Sequence, residues 1–202
     1  MKINWNALPY IAILRGIHSN EILEHANILY TAGFKAIEIP LNSPTPFASI
    51  QQLAQHYQGK CLLGAGTVTQ IAQVEELANT GANLMVTPNT KVEVIARAKQ
   101  LGLYVIAGFM TPSEAFAAID AGADALKLFP ANIISIDYLK ALKSVLPLNI
   151  PIFAVGGITP ENVKIFISAG FTGVGLGSAL YQAKQTVKQT QQRAMQFINN
   201  FS

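Results

Sequence analysis

Lys127 interrupts the apolar run ALKLFP, and Glu38 interrupts AIEIP. Side chains alternate across an extended strand, so Ala125, Lys127 and Phe129 share one face while Leu126 and Leu128 take the other; Ala36 and Glu38 likewise oppose Ile37 and Ile39. Faces of leucine and isoleucine belong beneath covering helices, which sends the amine and the carboxylate to the opposite side. Dehydration favours NH₂ over NH₃⁺, and a neutral amine attacks a ketone to form a Schiff base. A carboxylate beside it, with its pKa raised by burial, moves protons during carbinolamine formation and dehydration and at a substrate hydroxyl. The plainer alternatives are a lysine whose stem packs while its amine reaches the rim, and a structural ion pair.

Other strand ends carry complementary groups. Arg15 closes AILRG ahead of a glycine and offers a donor fork suited to a substrate carboxylate, or else lies on the surface. Thr67 in GAGT and Thr87 in VTPN offer hydroxyls. AVGGITPEN and GLGSAL place Gly156, Gly157, Gly177 and Ser178 where bare backbone amides can receive a phosphate. The three histidines are His18, His25 and His56. None pairs with another histidine or with carboxylates at neighbouring strand ends, so no divalent-metal site is expected and metal-assisted epimerisation is disfavoured. Cys61, the sole cysteine, lies in the apolar run KCLLGAG and reads as a packed thiol.

These residues need a frame that brings distant strand ends together. Eight apolar runs, YIAILRG, KAIEIPLN, KCLLGAGT, ANLMVTPN, LYVIAGF, DALKLFPA, PIFAVGG and TGVGLGS, recur at intervals of roughly 20–28 residues. Segments with three-to-four apolar spacing, such as NEILEHANILYTAG and KVEVIARAKQLG, alternate with them. Gly33, Gly81, Gly102, Gly122 and Gly170 follow these segments as helix-ending residues do, while HSNE, TPSEA and ITPEN read as helix starts. Eight strands, each followed by a helix and buried on both sides, predict a single (β/α)₈ TIM barrel over residues 1–202. An open doubly wound sheet is the competing architecture, but GGIT and GLGS lack the G-x-G-x-x-G dinucleotide fingerprint. Residues 1–9 are expected to form a short N-terminal helix at the lower end, and the last helix to run from Ala179 to Ile198.

In such a barrel the strand C-termini form the working face. That face collects Arg15, Glu38, Asn42, Thr67, Thr87, Asn89, Phe109, Thr111, Lys127, Phe129, Gly156, Gly157, Gly177 and Ser178. At 202 residues and 50% hydrophobic, the chain fits one core rather than two. Its net charge of +3 comes from scattered residues, unlike a nucleic-acid footprint, and suits a small anionic substrate. No leader-like apolar segment and no stretch of about 18 continuous apolar residues is present, so a soluble cytoplasmic protein without membrane contact is expected.

Taken in order, these segments resemble the 2-keto-3-deoxy-6-phosphogluconate/galactonate aldolase family along essentially the whole chain. ILRG is similar to its substrate-binding arginine segment, the glutamate of AIEIPLNSP to its general acid/base, and GAGTV and TPN, with Thr67, Thr87 and Pro88, to its substrate-contact loops. ALKLFP resembles the Schiff-base segment, with Lys127 as nucleophile and Phe129 as an apolar wall; GGITPEN and GLGS resemble the phosphate loops. The resemblance implies a trimeric class I aldolase that needs no cofactor and takes a phosphorylated keto acid. IEIPLNSP and ALKLFPA stand nearer the phosphogalactonate branch, whereas the phosphogluconate branch carries a threonine-and-arginine segment and KFFP. AGFMTPS departs from the commoner PG-x-T loop, and Phe109 is placed to narrow the entrance. The implied reaction yields pyruvate and glyceraldehyde 3-phosphate. The alternatives are cleavage of the gluconate epimer or of 4-hydroxy-2-oxoglutarate, a phosphate-binding isomerase or metal-dependent barrel, and, more remotely, a non-catalytic sugar-phosphate-binding barrel.

Overall fold

The computed structural model describes Trp5 and residues 7–200. Each apolar run becomes a strand: β1 Tyr10–Ile13, β2 Ala36–Pro40, β3 Leu62–Gly66, β4 Leu84–Val86, β5 Tyr104–Phe109, β6 Ala125–Leu128, β7 Ile152–Val155 and β8 Gly173–Leu176. They close in chain order into an all-parallel barrel, the β1–β8 seam pairing Ile11 with Gly175. The amphipathic segments become α1 Ile22–Thr31, α2 Pro46–Tyr57, α3 Ile71–Asn79, α4 Val92–Gln100, α5 Pro112–Asp120, α6 Ile136–Lys143, α7 Val163–Ser168 and α8 Val187–Asn199. This is the (β/α)₈ barrel that the spacing predicts.

Strand alternation divides the core in two. Ile11, Ala36, Leu62, Leu84, Ile106, Ala125 and Phe153 fill the barrel, while Ile37, Ile39, Leu126 and Leu128 pack outward with the helices. Trp5 joins the inner group, set edge-on to Phe153 at 4.7 Å between ring centroids, with its indole N–H donating to the Tyr104 hydroxyl at 3.4 Å. Trp5 and Ala7 lie in turns; the rest of the short helix expected over residues 1–9 falls largely on residues 1–4 and 6, outside the described residues.

The five helix-ending glycines all have positive φ, from +78° at Gly102 to +104° at Gly33, the conformation that a glycine C′ residue supplies without a steric cost. Thr111 caps α5 through a capping box with Glu114, and Pro112 occupies the first turn. The HSNE start works differently. Glu21 rather than Ser19 or Asn20 is the residue before α1, with no side-chain cap; its carboxylate accepts instead from the Tyr181 hydroxyl at 2.9 Å and the His18 amide at 3.3 Å.

Two expectations are corrected. Phe109 does not narrow the entrance; it shares the outward side of β5 with Val105 and Ala107, and its ring is buried under the helices. The last helix begins at Val187, not Ala179. Lys184 takes the left-handed conformation (φ +68°), Gln185 folds back onto the Leu180 carbonyl at 3.0 Å, and Thr186 forms a fresh capping box with Gln189. Residues 177–186 are therefore a folded loop beside the barrel mouth, held down by buried Leu180 and Tyr181.

Candidate active site

β6 presents Lys127 to the barrel interior at 7% exposure, above Ala125. β2 presents Glu38 inward above Ala36, at 2% exposure. The space for both comes from withheld side chains: Gly64 and Gly66 on β3, Gly108 on β5, and Gly173 and Gly175 on β8. A methyl on Gly108 would lie 2.3 Å from the carbonyl carbon of Pro88, so glycine there lets the loop after β4 lean over the strand.

Electrostatics follow from burial. Dehydration pushes the Glu38 carboxyl up to about 7, against the opposing pull of Lys127 and then Arg15. The Lys127 amine is held below the usual lysine range, again first by dehydration; Glu38 counteracts this and Arg15 adds to it. Among the described residues no ion pair within 4.0 Å joins the two groups, and Glu38 Oε2 has no hydrogen-bond partner. That oxygen is thus free of protein donors and open to a substrate or a water. The pair is poised for proton traffic, with an amine tending to neutrality and a carboxyl that can give or take a proton near pH 7. The Phe129 ring lies 4.9 Å from Lys127 Nζ, at the mouth.

A cleft of about 480 Å³ opens beside the pair, on the β7, β8 and β1 side. Arg15, Phe129, Gly156, Gly157, Gly177 and Ser178 all line it, together with Val155, Ile158, Thr159, Tyr181 and Gln182. Lys127, Glu38, Thr67, Thr87 and Pro88 are not on its walls. Phe129 and Arg15 stand at the junction, since the first touches Lys127 and the second is felt by both buried groups.

Local hydrogen bonds shape the cleft. Gly156 and Gly157 have φ +106° and +70°. Several loop carbonyls are already engaged. Asn162 Nδ2 donates to Gly157 O at 2.9 Å, the Leu180 and Tyr181 amides donate to Gly177 O, and Arg193 Nη1 donates to Ser178 O at 3.1 Å. Taking up these acceptors leaves the loops better suited to an anion. Arg15 Nη1 donates to Asn42 Oδ1, and the Gly16 amide donates to Ser43 Oγ at 2.9 Å, which pins the first two loops together.

The remaining loops differ in what they leave free. Thr67, half-buried at the end of β3, has φ +61°, a strained value for a β-branched residue of the kind found at functional sites. The Thr87 hydroxyl is engaged within the protein, donating to Asn89 O at 2.7 Å and accepting from the Gly108 amide at 3.0 Å. It therefore holds the Pro88 loop in place. His18 and His56 are exposed, and no group of three or more metal-ligating side chains occurs among the described residues. Cys61 is a buried thiol pushed up to about 11 by dehydration. Asn42, placed on the working face by the strand pattern, is the partner of Arg15; Tyr181 as a cleft wall and Gly66 beside Glu38 are the contributions that the sequence did not single out, with the GAGT segment the one hint of the second.

A parallel barrel with a buried lysine and a buried glutamate at its mouth, beside a cleft of glycine loops, is the frame of a class I aldolase. The chain belongs to the KDPG and KHG aldolase family, whose model matches residues 3–197. It is 51% identical over 194 residues to the 2-dehydro-3-deoxy-6-phosphogalactonate aldolase of Escherichia coli (strain K12), covering 96% of this chain and 95% of that one. It is 44% identical to the probable 2-dehydro-3-deoxy-6-phosphogalactonate aldolase of Rhizobium meliloti (strain 1021), covering 93% and 88%. A solved structure described as native KDPGal superposes with a TM-score of 0.94 at 51% identity, covering 96% of this chain and 94% of that chain.

Proposed function

We propose that this aldolase cleaves 2-dehydro-3-deoxy-6-phospho-D-galactonate to pyruvate and D-glyceraldehyde 3-phosphate. The observation that carries the reading is the dehydrated Lys127–Glu38 pair beside a cleft of glycine loops; the relatives' specificity supports the choice of substrate. Lys127 Nζ attacks the C2 ketone to give a carbinolamine, which loses water to form an iminium. Glu38 takes the C4 hydroxyl proton as the C3–C4 bond breaks, and the bonding pair moves into the iminium to give an enamine. Glyceraldehyde 3-phosphate departs from Gly156, Gly157, Gly177 and Ser178. The enamine is protonated at C3 and hydrolysed, releasing pyruvate and regenerating the amine. Arg15 clamps the C1 carboxylate, Thr67 and Pro88 border the keto acid, Thr87 fixes their loop, and Phe129 forms an apolar wall over Lys127. The family resemblance further supports a homotrimer working in the cytoplasm without a metal or cofactor. Among the described residues no helix is long and apolar enough to cross a membrane.

Initial rates on the two C4 epimers test the substrate. The galactonate derivative is expected to turn over at least tenfold faster; equal or reversed rates would move the assignment to the gluconate epimer.

A further inference from the structure

Gly66 ends β3 facing the barrel interior, and its surroundings are peculiar. A methyl built on its α-carbon would sit 1.6 Å from Glu38 Oε2, 2.2 Å from Cδ and 2.5 Å from Oε1. The three nearest atoms all belong to one carboxylate, which occupies the place of the missing side chain. Backbone conformation does not explain the glycine, since Gly66 is not among the residues with positive φ. The contrast with a neighbour is direct. At Gly64 the nearest obstruction would be the backbone carbonyl of Leu84, 1.8 Å away; at Gly66 the three nearest atoms all belong to the Glu38 side chain.

We propose that Gly66 is a positioning residue for the aldol cleavage: its missing side chain is the seat of the Glu38 carboxylate, setting that group against the wall of β3 and within the field of Lys127. The inference rests on the proton-shuttling role given to Glu38 above. Any side chain at position 66 must drive the carboxylate out of this buried seat. Because the nearest obstruction is the Glu38 carboxylate, removing Glu38 is expected to relieve a methyl at position 66. A glycine needed for general packing would lack that dependence.

The test compares Gly66→Ala, Glu38→Ala and the double variant Glu38→Ala/Gly66→Ala by kcat, by the pH dependence of kcat and by thermal unfolding. Gly66→Ala is expected to lower kcat about 10²-fold or more, within the range lost with a general acid/base, and to move the kcat limb governed by Glu38 to lower pH as the carboxylate becomes solvated. The double variant is expected to match Glu38→Ala in residual rate and in unfolding midpoint. If Gly66→Ala does not fold, the double variant still decides the matter, because it should fold as well as Glu38→Ala. Wild-type kcat and pH profile in Gly66→Ala, or a double variant clearly less stable or slower than Glu38→Ala, would overturn the seat. Wild-type turnover by Glu38→Ala would instead overturn the role given to Glu38.

Discussion

At the scale of single residues the proposed site rests on two buried ionisable groups, and both should betray their burial in their pH behaviour. Glu38 has a folded value of about 7 against 4.5 for an ordinary carboxylate. The folded chain therefore binds more protons than the unfolded chain between those values. The contribution of this group to stability is fully present below about pH 4.5 and is lost as pH rises through about 7. By that linkage, keeping the ionised carboxylate buried costs on the order of 3 kcal/mol at alkaline pH. Glu38→Gln should raise the thermal midpoint by several degrees at pH 8 and by little at pH 5 while lowering kcat at least 10²-fold. Paired melting curves and rates would show whether stability and activity trade in this way. Equal midpoints at pH 8 would mean that the carboxylate is solvated. Gly157→Ala belongs to the same scale. Its φ of +70° and the Asn132 Cβ 2.5 Å from the added methyl forbid a side chain without movement of the loop. The expected result is a rise in KM of tenfold or more for the phosphorylated substrate, with Schiff-base formation from pyruvate preserved.

Among the elements, the loop 177–186 shows best how a cleft wall is held. Gln185 Nε2 donates to Thr190 Oγ1 at 2.6 Å, and His25 Nδ1 lies 2.7 Å from the same oxygen, so α1, α8 and the loop share one buried polar knot. The His25 ring stands edge-on to Tyr181, which lines the cleft. Thr190→Val takes the hydroxyl partner from buried His25 Nδ1 and one of two acceptors from Gln185 Nε2, which keeps the Leu180 carbonyl, and should cost about 1–3 kcal/mol. Because the knot sits behind the loop, KM should rise more than kcat falls, as a Michaelis–Menten comparison would reveal. The loop was also where sequence reading failed. Ala179, Leu180 and Tyr181 continue the apolar pattern of a helix and mask the T-x-x-Q capping-box signature of Thr186 and Gln189, while nothing local shows that Lys184 turns left-handed. Lys127 and Glu38 were legible because a period of two needs only neighbouring residues to assign a face. Phe109 obeys the same rule, but judging it by its place near the mouth overlooked the alternation. Gly66 and Gly108 were opaque for another reason: what fills the space of a missing side chain comes from a different strand, and chain order does not record it.

For the whole molecule, eight repeats of one strand and one helix made the barrel readable from spacing, and closure explains how residues more than a hundred positions apart share a mouth. Its floor can be tested independently of its chemistry. Phe153 is fully buried beside Lys127, its register partner on the neighbouring strand, and packs against Trp5, so Phe153→Ala should cost about 3–5 kcal/mol, measurable by chemical denaturation. Sedimentation equilibrium at micromolar protein should return three times the 21.7 kDa chain mass if the proposed trimer is right. The proposed chemistry turns on one nitrogen. Borohydride reduction in the presence of pyruvate, followed by peptide mass mapping, should place a single reduced pyruvyl adduct on Lys127 in the wild-type chain and none in Lys127→Ala. An adduct on another lysine, or no adduct on active enzyme, would contradict the account.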